Sequence, residues 1–192
     1  MGNSKLFTPV TFGPLTLRNR TIRSAAFESM CPGNAPSDML LNYHRSVAAG
    51  GIGMTTVAYA AVTRSGLSFD RQLWMRPEII PGLRRLTDAV HAEGAAAGIQ
   101  LGHCGNMSHK SICGCTPVGA SGGFNLYSPT FVRGLRADEL PELARAYGRS
   151  VNLAREAGFD AVEIHAGHGY LISQFLSPAT NHRKDEFAGS LQ

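Results

Sequence analysis

Two histidines and a tyrosine stand close together in the run His165-Ala-Gly-His168-Gly-Tyr170. Imidazole N–H groups can donate hydrogen bonds to an oxygen that gains negative charge during a reaction. A phenol can donate a proton as a general acid. We therefore predict chemistry on a carbonyl compound, in which His165 and His168 hold the oxygen and Tyr170 supplies the proton.

Two other interpretations of this run stay open on the residues alone. His-x-x-His is half of a possible metal site, but zinc takes three or four protein ligands, and the surrounding sequence offers no obvious third one. The two histidines could also be structural, fixing a loop without taking part in any chemistry.

A second group of sulfur and imidazole side chains lies upstream. Cys113-Gly-Cys115 has Cys104, His103 and His109 nearby in the sequence. The Cys-x-Cys spacing differs from that of the usual zinc-binding motifs, in which two residues separate the cysteines. We expect free thiols on a long loop here and predict no metal site.

The elements that must position these residues follow a repeated pattern. An amphipathic helix ends at a glycine, and a short, continuously apolar strand follows. Glycine just past a helix supplies a left-handed C-cap, and continuously apolar strands are typical of parallel sheets covered by helices. The three copies run from Ser37 through Gly51 into 52–57, from Pro77 through Gly94 into 97–101, and from Asp138 through Gly158 into 161–165.

A hairpin at 10–17 and a strand at 21–26 precede these copies, and a polar tail follows them to Gln192. Repeated βα units predict a parallel sheet with right-handed crossovers, either an open doubly wound sheet or a barrel. The Gly-x-Gly-x-x-Gly turn that would favour a dinucleotide-binding doubly wound sheet does not follow the first strand. The long, varied segments after strands two, three and four favour an α/β fold of the (β/α)8 TIM barrel class.

In such a barrel the catalytic side chains lie at the C-terminal ends of the strands, where His165 falls. A complete barrel takes about 250 residues. We therefore expect residues 1–192 to form the N-terminal half of a single barrel domain, apparently truncated, with a hairpin and about the first four βα units. A half barrel leaves sheet edges open, so the chain could be a fragment of a longer protein or one half of a pair.

Composition excludes several classes of partner. The chain has 43% hydrophobic and 17% charged residues and a formal net charge of +4. Its Lys and Arg residues are scattered, so we predict neither a nucleic-acid partner nor a membrane surface. No apolar run approaches the roughly 20 residues of a membrane span, and Leu6 stands where a myristoylation signal at Gly2 requires Ser or Thr. Without the apolar core of a signal peptide, the four cysteines predict free thiols in a cytoplasmic protein.

The residues after Tyr170 lengthen the catalytic run into a signature. They read Leu171-Ile-Ser-Gln-Phe-Leu-Ser-Pro178, then Asn181-His-Arg183-Lys-Asp185, then Ala188-Gly189-Ser190. From Glu163 onward this resembles the Old Yellow Enzyme family of FMN-dependent ene-reductases. That family's signature reads roughly His-x-x-His/Asn-Gly-Tyr-Leu, Gln-Phe-Leu-Ser-Pro, Asn-x-Arg-x-Asp and Gly-Gly-Ser.

The resemblance covers essentially the whole chain. Leu6-Phe-Thr-Pro9 and Leu17-Arg-Asn-Arg20 are similar to the family's opening hairpin. The closer resemblance is to the bacterial branch of dienoyl-CoA reductases and related NADH:flavin oxidoreductases, because His168 replaces the asparagine of the yeast and plant enzymes.

A reaction and its substrates follow from the resemblance. It implies that NADH or NADPH reduces FMN, and that hydride then passes to the β-carbon of an α,β-unsaturated carbonyl compound. The substrate would be an enone or an enoyl thioester. His165 and His168 would hold the carbonyl oxygen, and Tyr170 would protonate the α-carbon.

The resemblance also implies a set of flavin contacts. These are Gln100 at the pyrimidine side of the ring, the backbone of Ala25, Ala26 and Phe27 along the ring, Tyr59 and Ala60 at the end of strand two, and His165. Phe27 stands where the family usually has a small polar group or a thiol, and Tyr59 is bulkier than the usual residue there. On the residues alone, Gln100 is better explained as a satisfied polar group at a strand end, and the resemblance reverses that preference.

Other functions remain alternatives at this stage. The first is a truncated, non-catalytic barrel fragment that binds FMN weakly or not at all, and a metal-dependent barrel hydrolase is more distant. The expected partners are a homo-oligomer or a complementing C-terminal half-barrel. Asn181, Arg183 and Asp185 are expected to fix the loop after strand four.

Overall fold

A four-stranded parallel sheet forms the centre of the fold in the computed structural model, which describes residues 4–189. The strands in chain order are β1 (Val10–Phe12), β2 (Leu15–Leu17), β3 (Ile22–Arg23), β4 (Met54–Ala61), β5 (Ala96–Gly102), β6 (Val118–Gly119), β7 (Gly123–Asn125), β8 (Thr130–Gly134) and β9 (Ala161–Ile164). The central sheet has the order β3-β4-β5-β9 with all pairs parallel. The predicted α/β fold with a parallel sheet is confirmed. Gly2 and Ser190, which entered the sequence arguments above, lie outside the described residues.

Three helices, α1, α2 and α4, cover one face of this sheet. All helices in chain order are α1 (Asp38–Ala49), α2 (Ile80–Ala92), α3 (Lys110–Cys113), α4 (Leu140–Glu156) and α5 (Leu171–Leu176). The hydroxyl of Ser37 caps α1 by accepting a hydrogen bond from the Leu40 N–H at 3.2 Å. As predicted, Gly51, Gly94 and Gly158 follow α1, α2 and α4 in the left-handed conformation, with φ of 94°, 74° and 90°.

The main core lies between the sheet and α1, α2 and α4. Burying one leucine or isoleucine side chain there contributes about 1.5–3 kcal/mol to the stability of the fold, so together these side chains hold the helices to the sheet. The largest fully buried members are Leu40, Leu83, Leu86, Ile99 and Leu101. Because strand side chains alternate between faces, the neighbour of Ile99 and Leu101, the buried Gln100, faces the other side of β5.

The N-terminal hairpin of β1 and β2 leads into the end of the sheet where the strands begin. Arg18 follows the hairpin and donates three hydrogen bonds from its guanidinium. The acceptors are the carbonyl oxygens of Ile52 at 2.9 Å, Glu93 at 2.8 Å and Ala48 at 2.6 Å. Since Ala48 is in α1 and Glu93 caps α2, one side chain satisfies helix-end carbonyls that lack intrahelical partners.

The segment between β5 and α4 differs from the predicted long loop. It contains the short helix α3 and a three-stranded sheet of order β6-β8-β7. β7 and β8 form an antiparallel hairpin, and Phe124 and Phe131 pack across it with ring centroids 5.1 Å apart. The strands have two to five residues each, too few to give a clear alternating pattern.

Two further segments differ from prediction. The segment after β9 was expected to be a polar tail, but its first part forms α5, and Leu171 and Gln174 of this helix are buried. The first strand was expected to span 21–26, yet the ladder of β3 ends at Arg23. Beyond that point a side chain takes over a hydrogen bond of the neighbouring strand β4, because Glu28 Oε2 accepts from the Ala58 N–H at 3.3 Å.

Leu143, Ala144, Tyr147, Val151 and Ala154 recur at helical spacing along α4 and predict one apolar face, and this prediction is partly wrong. Leu143, Tyr147 and Ala154 pack toward the core, but Ala144 and Val151 are exposed. The buried positions of the helix are Ala146, Ser150 and Ala154. The Ser150 hydroxyl can lie in the interior because it donates back to the Ala146 carbonyl at 2.8 Å.

None of the helices within residues 4–189 is long and apolar enough to cross a membrane.

Candidate active site

His165 continues the line of β9 at the C-terminal end of the sheet. Its N–H donates to the Leu101 carbonyl at 2.9 Å, so the backbone stays paired with β5. The ring is 7% exposed. His168 follows on the surface with a φ of 56°. A positive φ is uncommon for a residue other than glycine and here marks a tight turn. The turn between the two residues brings the second imidazole back toward the first.

The two imidazoles contact each other directly. His168 Nδ1 lies 3.2 Å from His165 Nε2, and the ring centroids are 5.0 Å apart. The Gly167 N–H donates to His165 Nδ1 at 3.4 Å, which makes Nδ1 an acceptor. In this hydrogen-bond pattern His165 carries its proton on Nε2, and this N–H donates a hydrogen bond to His168 Nδ1.

Tyr170 completes a cluster of three aromatic rings around His165. Its ring centroid lies 4.9 Å from that of His165 and 5.3 Å from that of Tyr59. Tyr170 stands immediately before α5, and its carbonyl accepts the Gln174 N–H at 2.8 Å. The phenol is therefore fixed by a helix start and lies beside a buried imidazole.

The surroundings keep both groups uncharged near neutral pH. Burial lowers the pKa of His165, the nearby His168 lowers it further, and Glu163 opposes these effects. Burial raises the pKa of Tyr170, and the hydroxyl of Ser68 partly offsets this. A neutral imidazole that donates from Nε2 and a protonated phenol are the forms that a hydrogen-bond donor and a general acid need.

A buried glutamine holds the loop that carries these residues. The Gln174 Nε2 group donates to the Gly169 carbonyl at 2.7 Å, Asn106 Oδ1 at 2.9 Å and the Cys104 carbonyl at 3.2 Å. It thus joins the loop after β5 to the His165–Tyr170 loop. This role of Gln174 was not predicted from the sequence, although a glutamine among the apolar residues of Leu171–Leu176 was a visible signal.

Gln100 lies on the same sheet, one strand away from β9. It is buried, its register partner is Glu163, and its side-chain amide donates to the Glu163 carboxylate. The structure therefore places a carboxamide on the sheet face opposite the helices, near its C-terminal end. The exposed Glu163 is its partner in this conformation.

Ala25, Ala26 and Phe27 form an irregular segment just after β3. The hydrogen bonds of the described residues include none donated by these three backbone N–H groups. The Phe27 ring stacks on Phe69 with centroids 4.7 Å apart, and both rings are partly exposed. Glu28, which follows the segment, forms an ion pair with Arg23, which precedes it, at 2.9 Å, and this pair holds the two ends of the segment together.

Tyr59 and Ala60 have different surroundings from each other. Tyr59 is 4% exposed, and its hydroxyl lies 3.0 Å from the Gly66 carbonyl and 2.9 Å from Ser68 Oγ. Its ring forms a wall beside Tyr170. The methyl group of Ala60 is buried in the helix-facing core, so only the backbone of that residue can contact a ligand on the other face.

A cavity of about 490 Å³ opens beside His168. Its walls are mainly apolar and come from Met107 and from the β7–β8 hairpin, including Phe124, Leu126 and Tyr127. The sequence analysis missed this wall, because it placed no structure in the segment. The cavity gives the exposed imidazole an apolar neighbourhood in which a small molecule could bind.

A family model described as the NADH:flavin oxidoreductase / NADH oxidase family matches residues 5–192. The chain belongs to this family. The predicted resemblance is thereby confirmed. A solved structure of the old yellow enzyme homologue from Zymomonas mobilis superposes with a TM-score of 0.90 at 29% identity, covering 97% of this chain and 55% of that one.

Two curated members of the NADH:flavin oxidoreductase family are among its similar proteins. A 4,4'-dithiodibutanoate disulfide reductase of Rhodococcus erythropolis is 44% identical over 97% of this chain and 46% of its own length. An NADPH dehydrogenase of Bacillus subtilis (strain 168) is 37% identical, over 97% and 55% respectively. The chain thus spans about half the length of the curated relatives it matches.

The family implies a flavin, and the residues present fit one. A flavin ring has both donors and acceptors along its edge, and the protein's part is to bind and orient it. The Gln100 carboxamide can donate and accept, and the N–H groups of Ala25, Ala26 and Phe27 are open donors. Phe27 adds no side-chain hydrogen bond. For a metal the fit is poor, since residues 4–189 contain no cluster of three suitable ligands.

Proposed function

We propose that this chain forms the N-terminal half of an FMN-dependent (β/α)8 barrel that reduces the activated C=C bond of an enone or enoyl thioester. NADH or NADPH would be the reductant. The observation that carries the proposal is the convergence of His165, His168 and Tyr170 at the C-terminal end of β9, with centroid separations of 4.9 to 6.4 Å.

Each of the three side chains has a distinct part in this proposal. A carbonyl oxygen that enters between the imidazoles accepts from His165 Nε2–H and from a ring N–H of His168. These bonds strengthen as negative charge grows on the oxygen. The hydroxyl of Tyr170 gives its proton to the α-carbon and regains one from solvent.

The chemistry that FMN supplies when bound is delivery of a hydride to the β-carbon. Hydride and proton together add two hydrogens across the double bond, and the electron pair originates in NAD(P)H. Gln100 and the backbone of Ala25, Ala26 and Phe27 would hold the flavin ring. The backbone at Ala60 and the side chain of Tyr59 would lie close to that ring. His165 would contact both the flavin ring and the substrate.

The extent of the domain belongs to the same proposal. β9 pairs only with β5 among the described residues, and its Ile164 side chain is 45% exposed. An open parallel strand of this kind is suited to further pairing. Residues 1–192 would therefore act together with a C-terminal half-barrel, supplied by further chain or by a partner.

A disulfide is the second candidate acceptor, because the curated relative with 44% identity is named a disulfide reductase. Hydride attack on one sulfur would break the S–S bond into a thiol and a thiolate. Tyr170 would then protonate the thiolate. The cavity walls beside His168 do not distinguish an apolar enone from a disulfide of similar size.

The test starts with the purified chain, incubated with FMN and passed through a desalting column. Retained yellow colour that bleaches with NADPH or NADH under anaerobic conditions supports the proposal. Colour that then returns on adding 2-cyclohexenone, crotonyl-CoA or 4,4'-dithiodibutanoate identifies the acceptor class. A colourless protein after desalting would overturn flavin binding by this chain and favour a non-catalytic fragment.

A matched variant makes the test specific to the site. Gln100→Leu keeps the size of the side chain but removes its hydrogen bonds, so it should weaken FMN retention. Gln72→Leu is not a suitable control, because Gln72 binds backbone groups of its own loop. Ser173→Ala, on α5, leaves the proposed flavin contacts untouched and should retain FMN as the unmodified chain does.

A further inference from the structure

Cys113 and Cys115 form a close pair of thiols at the end of α3, of which Cys113 is the last residue. Their Sγ atoms are 3.7 Å apart. Gly114 lies between them in the left-handed conformation with φ of 76°, which turns the backbone so that both side chains point the same way. No other residue type adopts this conformation at so little cost, so the glycine favours the pairing.

The two thiols differ in their access to solvent. Cys113 is buried, while Cys115 is half-buried. Cys115 lines a cavity of about 520 Å³, together with His103 and Arg133. None of the residues that line this cavity is His165, His168 or Tyr170, so it is separate from the candidate active site.

The surroundings raise the pKa of the Cys115 thiol. Burial is the largest cause and Cys113 raises the pKa further, while the nearby Arg133 and Arg64 oppose these effects. The Arg133 guanidinium itself is paired with the carboxylate of Glu139 at 2.6 Å. The site therefore neither requires nor excludes a charged ligand, and a small disulfide can approach the half-buried sulfur of Cys115.

We propose that Cys113 and Cys115 are a redox-active dithiol that low-molecular-mass disulfides oxidise reversibly, with Cys115 as the attacking thiol and Cys113 as the resolving one. A metal is the poorer occupant, because the described residues offer no third ligand beside the pair. The inference does not depend on flavin binding or on the reaction proposed above.

The steps balance as an ordinary thiol–disulfide exchange. Cys115 thiolate attacks one sulfur of R–S–S–R, that S–S bond breaks, and one R–S⁻ leaves and takes up the proton that Cys115 lost. Cys113, deprotonated in turn, attacks the Cys115 sulfur and releases the second R–SH. The sulfurs must close from 3.7 Å to about 2.05 Å. The protein loses two electrons and two protons, and the small disulfide gains them.

The experiment uses glutathione disulfide as the probe, at about pH 9, because the raised pKa of Cys115 leaves little thiolate at lower pH. After acid quenching and alkylation, intact mass and peptide mapping should show one Cys113–Cys115 disulfide. Excess reduced glutathione should reverse it. Cys31 and Cys104 are both buried and should be alkylated only after unfolding.

Two variants separate the roles of the thiols. Cys113→Ser should accumulate a persistent glutathione adduct on Cys115, because the resolving thiol is gone. Cys115→Ser should take up no glutathione, because the remaining sulfur is buried. A protein that stays fully reduced under these conditions overturns the proposal. So does a persistent adduct on the unmodified chain, or a disulfide that involves Cys31 or Cys104.

Discussion

His168 Nδ1 lies 3.2 Å from His165 Nε2, so an exposed imidazole is hydrogen-bonded to a buried one. The other nitrogen of the buried ring, His165 Nδ1, accepts a hydrogen bond from the Gly167 N–H. With both nitrogens engaged, its tautomer is fixed before any ligand arrives. The Nε2–H of His165 is thus set as a donor in advance, and a carbonyl oxygen that takes the place of His168 Nδ1 accepts the same hydrogen.

His165 should titrate differently when its neighbour is changed. A positive charge on His168 disfavours a second positive charge on His165, and this repulsion is one reason why the His165 pKa is low. In His168→Asn the pKa of His165 should therefore rise, although burial still holds it below the ordinary value. An NMR titration of the histidine ring protons measures this without flavin. An unchanged or lower pKa would contradict the contact.

The same position tests the proposed role of the second imidazole. Loss of one oxyanion donor costs about 10²–10³-fold in rate. His168→Leu should slow reoxidation of the reduced flavin by an enone by that amount, whereas His168→Asn, which keeps a donor, should lose much less. Stopped-flow absorbance of the anaerobic reaction gives both rates. Equal rates for the leucine variant and the unmodified chain would remove His168 from the mechanism.

Replacing Tyr170 by phenylalanine should separate the two half-reactions. General acid catalysis by a positioned group contributes about 10²–10⁴-fold, so alkene reduction should slow within that range. Reduction of the flavin by NADPH needs no proton from Tyr170 and should stay nearly unchanged. Tyr147→Phe is the control, because its hydroxyl is buried in the helix-facing core without a hydrogen-bond partner among the described residues. Equal loss in both half-reactions would show that the phenol is structural.

Gln174→Leu should lower the stability of the chain. The substitution leaves the carbonyl groups of Cys104 and Gly169 and the side chain of Asn106 without the amide they now bind. A buried polar group without a partner costs about 1–3 kcal/mol. Only Cys104 of these three residues is fully buried, since Asn106 is half-buried and Gly169 exposed, so we expect a loss of about 2–3 kcal/mol in the free energy of unfolding. Urea denaturation measures it, and Ser173→Ala on the same helix should cost under about 0.5 kcal/mol.

Stability should fall in mild acid because of His103. Burial lowers the pKa of this ring to about 4, below the roughly 6.5 of an unfolded histidine. Between these values the unfolded chain binds a proton that the folded chain does not, so the stabilising contribution present above about pH 6.5 is lost as the pH falls. Unfolding at pH 5 should cost about 2 kcal/mol less than at pH 7.5 for this group alone.

His103→Gln isolates that contribution. Both ring nitrogens of His103 are hydrogen-bonded, to Ser65 at 3.1 Å and to the Gly105 N–H at 3.0 Å, so the variant also loses some stability at every pH. Only the difference between the two pH values is diagnostic. Urea unfolding should show a smaller difference for the variant. The same difference in both proteins would mean that another group controls the acid response.

The parallel sheet was predictable because its signal is local and repeated. Each helix shows its period within the window of a few turns, and Gly51, Gly94 and Gly158 mark the helix ends. The proximity of His165, His168 and Tyr170 was visible for a similar reason, since the three are within six residues of one another. Interactions between sequence neighbours can be inferred from sequence, and these were.

The parts that escaped prediction depend on contacts between distant residues. Gln174 binds Asn106, which is 68 positions away, and nothing in either residue's own neighbourhood indicates the partner. The β7–β8 hairpin is held in part by Asn125, whose amide donates to the Asn106 carbonyl at 2.8 Å. On α4, Ser150 is buried only because it bonds to its own helix, which a pattern of apolar residues cannot show.

The three hydrogen bonds of Arg18 set an order for folding during synthesis. Their acceptors belong to residues 48, 52 and 93. The hairpin is made before these acceptors, so Arg18 cannot complete its bonds until the end of α2 has emerged from the exit tunnel. The hairpin is therefore docked by helix ends that are synthesised after it, and it stays undocked while α1, β4 and α2 are being made.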